Sequence, residues 1–105
     1  MIIELENTVT PLKGVANAVV VFYTDWCGDC LTSLSFEKSL AEKYAKSISF
    51  FRMHAEKHEK VADQYSVERY PTYVFFKKGK HHGSNLVEPY HEEDVEKWIK
   101  GNLKS

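Results

Sequence analysis

The chain's most continuous apolar stretch is Ala18-Val19-Val20-Val21-Phe22-Tyr23, β-branched and aromatic with no polar residue interleaved. Such a run predicts a strand buried on both faces of a sheet, since a half-exposed strand would alternate. Three more stretches have strand character: Ile2-Ile3-Glu4-Leu5, Ile48 to Met53, and Tyr73-Val74-Phe75-Phe76, the last entered through Tyr70-Pro71-Thr72. Lys77-Lys78-Gly79-Lys80 supplies a hairpin turn, and a weaker strand is predicted around Ser84 to Val87. Helical spacing governs the segments between. A long helix is predicted from Cys27 to about Lys46, with Leu31, Leu34, Leu40 and Tyr44 turned inward and Phe36 nearby. His58 to Tyr65 predicts a short helix with Val61, Ala62 and Tyr65 on one face. His91 to Asn102 predicts a closing amphipathic helix with Val95, Trp98, Ile99 and Leu103 inward. Asn7 to Asn17, which holds Pro11 and Gly14, reads as a loop or an irregular helix. The order βαβαββα is that of an α/β fold, a central mixed β-sheet flanked by helices on both faces.

Composition narrows the setting. A chain of 105 residues has room for one core, so residues 1–105 are expected to form a single domain. Hydrophobic residues at 43% and aromatics at 13% suffice for a packed interior and argue against disorder. A formal net charge of -1 removes nucleic acid and anionic membrane as expected partners. No apolar run approaches the roughly 20 residues that a membrane-spanning helix needs. The first residues carry neither a basic region nor a long apolar segment, so no secretory signal is expected. The expected compartment is the cytoplasm, and the expected state is a monomer.

The candidate chemistry sits in Asp25-Trp26-Cys27-Gly28-Asp29-Cys30, which holds the only two cysteines of the chain. The pair lies between the apolar strand and the long helix. At such a junction the first cysteine falls at the helix N-cap, where unpaired backbone N–H groups and the positive dipole end favour a thiolate. The second lies one turn into the helix, close enough to close a small disulfide with the first. An attacking thiol beside a resolving thiol is the minimum apparatus for thiol–disulfide exchange. Two cysteines are too few for a structural framework, and a reducing compartment would break an ordinary disulfide, so a catalytic pair is expected. The five histidines do not suggest a metal. His54 and His58 are four apart but straddle a strand end and a loop, and His81-His82 lie in the hairpin turn.

That element order, together with Trp26-Cys27-Gly28-Asp29-Cys30 and Tyr70-Pro71-Thr72, resembles the thioredoxin family over nearly the whole chain, about Ile2 to Leu103. The resemblance implies the thioredoxin fold and a protein-disulfide reductase. Cys27 would be the nucleophile that forms a mixed disulfide with a client protein, and Cys30 the resolving thiol that releases it. Pro71 would be the cis-proline beside the pair, with the Tyr70 backbone open to an extended client segment. Trp26 would form one wall of the docking surface, and Gly28 would let the partner backbone approach. The implied partners are disulfide-containing client proteins and an NADPH-linked thioredoxin reductase as donor. No metal is implied, and no cofactor beyond the redox-active Cys27–Cys30 disulfide.

The departures from the family pattern carry their own expectations. Asp29 replaces the proline common between the cysteines. A carboxylate about 5 Å from Cys27 would repel its thiolate, favour the disulfide and make the protein a reductant. It also suits the first turn of a helix. Val21 stands where the family buries an aspartate that takes the proton of the resolving cysteine. A slower resolving step is expected, or a stand-in base, with Asp29 acting through water the nearest candidate. Arg52 stands where a lysine accompanies that aspartate, and Ser35 where a proline often kinks the long helix, which predicts a straighter one. Glu88 and Arg69 add charge and bulk around the Pro71 loop and predict a narrowed set of clients. Two rival functions share the motif: a glutaredoxin- or bacilliredoxin-like reductase acting on mixed disulfides with small thiols, and a non-catalytic thioredoxin-fold interaction module.

Overall fold

A computed structural model of the chain describes residues 2–105; Met1, part of the expected single domain, lies outside the described residues. The apolar run forms β2 (Asn17–Tyr23), which pairs in parallel with β3 (Ser49–His54) and antiparallel with β4 (Thr72–Lys77). β1 (Ile2–Glu4) extends the sheet in parallel beyond β3. Two short strands, β5 (Lys80–His81) and β6 (Leu86–Val87), share the outer edge of β4. The sheet is therefore mixed, in the order β1-β3-β2-β4-β5, with β6 also on β4.

The lack of alternation in β2 has the cause the sequence suggests. Ala18, Val20 and Phe22 enter one core with Leu12 of a 3-10 turn (Thr10–Gly14) and with Val61 and Ala62 of helix α2 (Glu59–Gln64). Val19 and Val21 enter a second core with Leu40 and Ala41 of helix α1 (Gly28–Lys43) and Val95 and Ile99 of helix α3 (Glu92–Lys104). Each face of the strand thus has its own cover, and neither tolerates a polar residue without a partner. Among the described residues no helix is long and apolar enough to cross a membrane.

Several boundaries differ from the expected ones. The segment 7–17 contains the 3-10 turn, which buries Leu12. The predicted strand around Ser84 to Val87 contracts to Leu86–Val87, while two residues of the hairpin region pair as β5. α1 ends at Lys43, because the chain turns so that the Ile48 N–H returns to the Tyr44 carbonyl at 2.8 Å. It runs unbroken through Ser35.

The largest correction concerns which face of α1 is inside. Leu31, expected inward, is 73% exposed, and Leu34 lines an open groove. The buried stripe is Cys30, Ser33, Glu37, Leu40 and Ala41. Cys30 sets this phase. Once it faces the sheet, positions three, seven, ten and eleven residues later follow it round the 3.6-residue turn, and Leu31 lies about 100° away.

The β4–β5 hairpin closes on a two-residue loop, Lys78-Gly79, with φ of 53° and 82°. Positive φ at both positions matches the twist of the flanking strands. A Cβ on Gly79 would also lie 2.8 Å from the Lys13 Cα. Gly79→Ala is therefore expected to cost on the order of 1–3 kcal/mol. The urea midpoint reads it, and an unchanged midpoint would show that the hairpin relaxes at no cost.

Candidate active site

Both cysteines are free thiols at one end of the central strands. The chain leaves β2 through Thr24-Asp25-Trp26 and enters α1 with Cys27 as its N-cap, in extended conformation (φ -90°, ψ 106°). The Cys27 Sγ accepts the backbone N–H of Cys30 at 3.0 Å, one of the first-turn amides that has no partner within the helix. It donates in turn to the Tyr70 carbonyl at 3.4 Å. The Tyr70–Pro71 peptide is cis, and it brings the Tyr70 carbonyl to Cys27 just before the start of β4. Cys27 is 7% exposed and Cys30 2%.

Around them lies a surface of different character. Trp26 is 68% exposed and stands edge-on to Tyr70, ring centroids 6.0 Å apart, its indole N–H donating to Glu56 at 2.9 Å. Gly28 opens to empty space, since a Cβ there would meet nothing within 4 Å. Asp29 is exposed and lines a water-sized crevice of about 40 Å³ with Phe36, Glu88, Pro89 and Tyr90. Arg69 and Glu88, far apart in sequence, face each other at 4.0 Å across the Pro71 loop. The Glu88 N–H donates to the Pro71 carbonyl at 2.9 Å, and its φ of 47° is a backbone state better suited to glycine. Thus Trp26, Cys27, Gly28, Asp29, Cys30, Tyr70 and Pro71 are all brought to one end of the sheet.

Beneath Cys30 lies a group that the sequence reading missed. Glu37 has no exposed surface at all, yet it is a carboxylate. Its Oε2 accepts from the Ser33 hydroxyl and from the Tyr73 hydroxyl, each at 2.9 Å. Its Oε1 faces the Arg52 Nε at 3.5 Å, and neither of those two atoms has a hydrogen-bond partner. The Arg52 guanidinium also lies over the Tyr23 ring, 3.8 Å from its centroid. Burial pushes the Glu37 carboxyl above its ordinary range, and the bonds from Ser33 and Tyr73 and the charge of Arg52 only partly oppose that. Burial likewise pushes the Cys30 thiol up to about 12, helped by its hydrogen bond with Cys27 and by the charges of Cys27 and Glu37, with the Thr24 backbone working the other way. The signal in the sequence was the stripe itself. Counted from Cys30 at helical spacing, it passes through Ser33, Glu37 and Leu40 and contains one acidic residue.

The histidines are dispersed. His54 is buried beside Asp25, Nε2 to Oδ2 3.0 Å, while His58 faces Glu6 at 3.3 Å. Among the described residues, no three His, Cys, Asp or Glu side chains gather as a metal would need. A groove of about 580 Å³ lies between α1 and the β1–β3 edge, lined by Leu34, Lys38, Ala41 and Arg52 among others.

A dithiol at a helix N-cap facing a cis-proline loop, on a mixed sheet covered on both faces, defines a thiol–disulfide exchange class of site. The family model for thioredoxin matches residues 6–101, and the chain belongs to the thioredoxin family. It is similar to the chloroplastic Thioredoxin Y of Oryza sativa subsp. japonica, 34% identical over 68 residues, covering 65% of this chain and 40% of that protein. It is also similar to Thioredoxin-1 of Drosophila melanogaster, 36% identical over 62 residues, covering 59% of this chain and 58% of that one. The matched stretch thus spans about half the length of these relatives. Among solved structures, a mutant thioredoxin from Halobacterium salinarum NRC-1 superposes with a TM-score of 0.84 over 98% of this chain and 89% of that one. At 20% identity that likeness concerns the fold.

Proposed function

We propose that the chain is a dithiol oxidoreductase that reduces protein disulfides, with Cys27 as nucleophile and Cys30 as resolving thiol. The observation that carries this reading is the setting of the Cys27 sulfur, which receives the Cys30 N–H at the helix terminus and lies against the Tyr70 carbonyl. A thiolate there is stabilised by the N–H and the helix dipole, and a client disulfide can reach it past Trp26 and Gly28. Cys30 stays a covered, protonated thiol until Cys27 is joined to a client, so the two sulfurs divide the work. The reaction consumes the dithiol: client disulfide plus two thiols gives two client thiols and the Cys27–Cys30 disulfide. An NADPH-linked reductase would regenerate it, with no cofactor or metal beyond the disulfide itself and with the protein acting as a cytoplasmic monomer. Asp29 would oppose negative charge at Cys27 and favour the disulfide, and the Arg69–Glu88 pair would screen clients at the loop.

The redox potential tests this reading. Equilibrated against dithiothreitol and quantified by alkylation, the pair is expected near or below about -270 mV, the range of reducing thioredoxins. A value above roughly -200 mV would make it an isomerase- or oxidase-type site and overturn the role of Asp29.

A further inference from the structure

We propose that Glu37 is a positioning residue for Cys30, a buried carboxylate that takes up a proton as the Cys30 thiol gives one up when the internal disulfide forms. This rests on the reductase reading. The geometry comes from four elements. Val21 of β2 pairs in register with Arg52 of β3 on one side and with Tyr73 of β4 on the other. Glu37 descends from α1 and pairs with those same two residues, so a carboxylate occupies the sheet face over Val21 although no strand supplies one. On its own helix it shares the inward stripe with Cys30, and Ser33 stands between them.

Ser33 makes the link specific. Its hydroxyl lies 2.9 Å from Glu37 Oε2 and 3.2 Å from the Cys30 carbonyl, but it has a single hydrogen. When Glu37 is ionised, that hydrogen goes to Glu37. When Glu37 is protonated, Glu37 can donate to Ser33, and Ser33 turns to the Cys30 carbonyl. Charge adds a second link, because a negative Glu37 disfavours a negative Cys30, and the reverse. Simultaneous ionisation of the two is therefore disfavoured. Facing Glu37 are Arg52 from β3, Tyr73 from β4, and Ser33 and Cys30 from α1; Tyr23 of β2 and Glu4 of β1 lie one contact further out, through Arg52 and Tyr23 respectively.

In the resolving step Cys30 loses its proton, and its sulfur attacks Cys27 in the mixed disulfide. The Cys27–Cys30 bond forms and the Cys27–client bond breaks. Its electron pair leaves on the client sulfur as a thiolate, which is protonated in water. Glu37 gains a proton as Cys30 loses one, so the negative charge is not left buried beside the disulfide, and the Arg52 guanidinium keeps its contact with the Tyr23 ring. Arg52, which pairs with Glu37 and also lines the 580 Å³ groove, separates the carboxylate from solvent on that side.

Two measurements decide this. Load Cys27 with nitrothiobenzoate and follow its release by Cys30 in single turnover from about pH 5.5 to 9. The wild-type rate is expected to rise as Glu37 ionises. Glu37→Gln is expected to lose that limb and to resolve roughly 10–100-fold more slowly at pH 7, while loading of Cys27 changes less than about 2-fold. A Glu37→Gln rate and pH profile equal to wild type would overturn the proposal. The second measurement is carboxyl-carbon NMR of Glu37 in the wild-type chain, which needs neither client nor variant. Glu37 is expected to titrate at higher pH in the disulfide than in the dithiol, and identical titrations in the two states, or a shift the other way, would overturn the proposal. Failure of wild-type Cys27 to reduce any protein disulfide, with the Glu37 shift present, would instead count against the reductase reading alone.

Discussion

Cys27→Ser is expected to lose roughly 10³-fold or more of protein-disulfide reduction, because a serine hydroxyl at that N-cap cannot form the mixed disulfide. The fold should survive. A serine still accepts the Cys30 N–H and is itself a favoured N-cap residue, so thermal unfolding should stay close to wild type. Cys30→Ser should behave differently. It leaves the attacking sulfur in place and removes the resolving one, so the variant should accumulate a covalent adduct with its client in place of turning over. Insulin reduction followed by turbidity, with non-reducing electrophoresis for the adduct, reads both. Full insulin reduction by Cys27→Ser would sink the mechanism. Retention of an unaltered partner complex by both variants would favour an interaction module.

The second large effect is a stability that falls as pH rises, with Glu37 as its source. Burial raises the Glu37 carboxyl above its ordinary value of 4.5 in the folded state. The folded chain then binds this proton more tightly than the unfolded chain. Its contribution is fully present below 4.5 and is lost as pH rises through the folded value, where the carboxylate must ionise with Oε1 lacking a hydrogen bond. The loss is expected to be about 1–3 kcal/mol, the usual cost of an incompletely satisfied buried polar group. Glu96 has the opposite sign, since Lys43 and Tyr44 lower it, and its contribution disappears on the acid side. Urea denaturation between about pH 5 and 9 lies clear of Glu96, and the five histidines are common to wild type and Glu37→Gln, so the difference between the two curves reports Glu37. Glu37→Gln should flatten the curve there and exceed wild type in stability at the alkaline end relative to the acid end. Curves of equal slope would mean that Glu37 stays ionised at no cost, contrary to its burial.

Much of this protein was legible along the chain. β2 announced itself because a strand covered on both faces needs apolar residues at every position, a condition local enough to read directly. Cys27 and Cys30 were legible for the same kind of reason. Three residues of spacing at a strand-to-helix junction determine which sulfur caps the helix and which lies one turn inside. The last helix was readable too, since Val95 and Ile99 keep the period of a face packed on one sheet.

The long helix was less so, because its apolar residues and its buried residues overlap only in part, at Cys30, Leu40 and Ala41. Leu31 and Leu34 carry the hydrophobicity, whereas Ser33 and Glu37 are the ones enclosed. The helix phase follows Cys30, which faces inward beneath the helix, and a local pattern holds no information about that packing. The meeting of Arg69 with Glu88, and of Glu37 with Tyr73 and Arg52, likewise spans positions that only the packed sheet makes neighbours. The sequence by itself determined the four longer strand stretches, the dithiol and its place at a helix terminus, because these follow from nearest-neighbour spacing. The tertiary structure alone decided that a carboxylate lies under the dithiol and that it comes from α1, because burial of a charge depends on which partners two separate strands and a helix bring to one point.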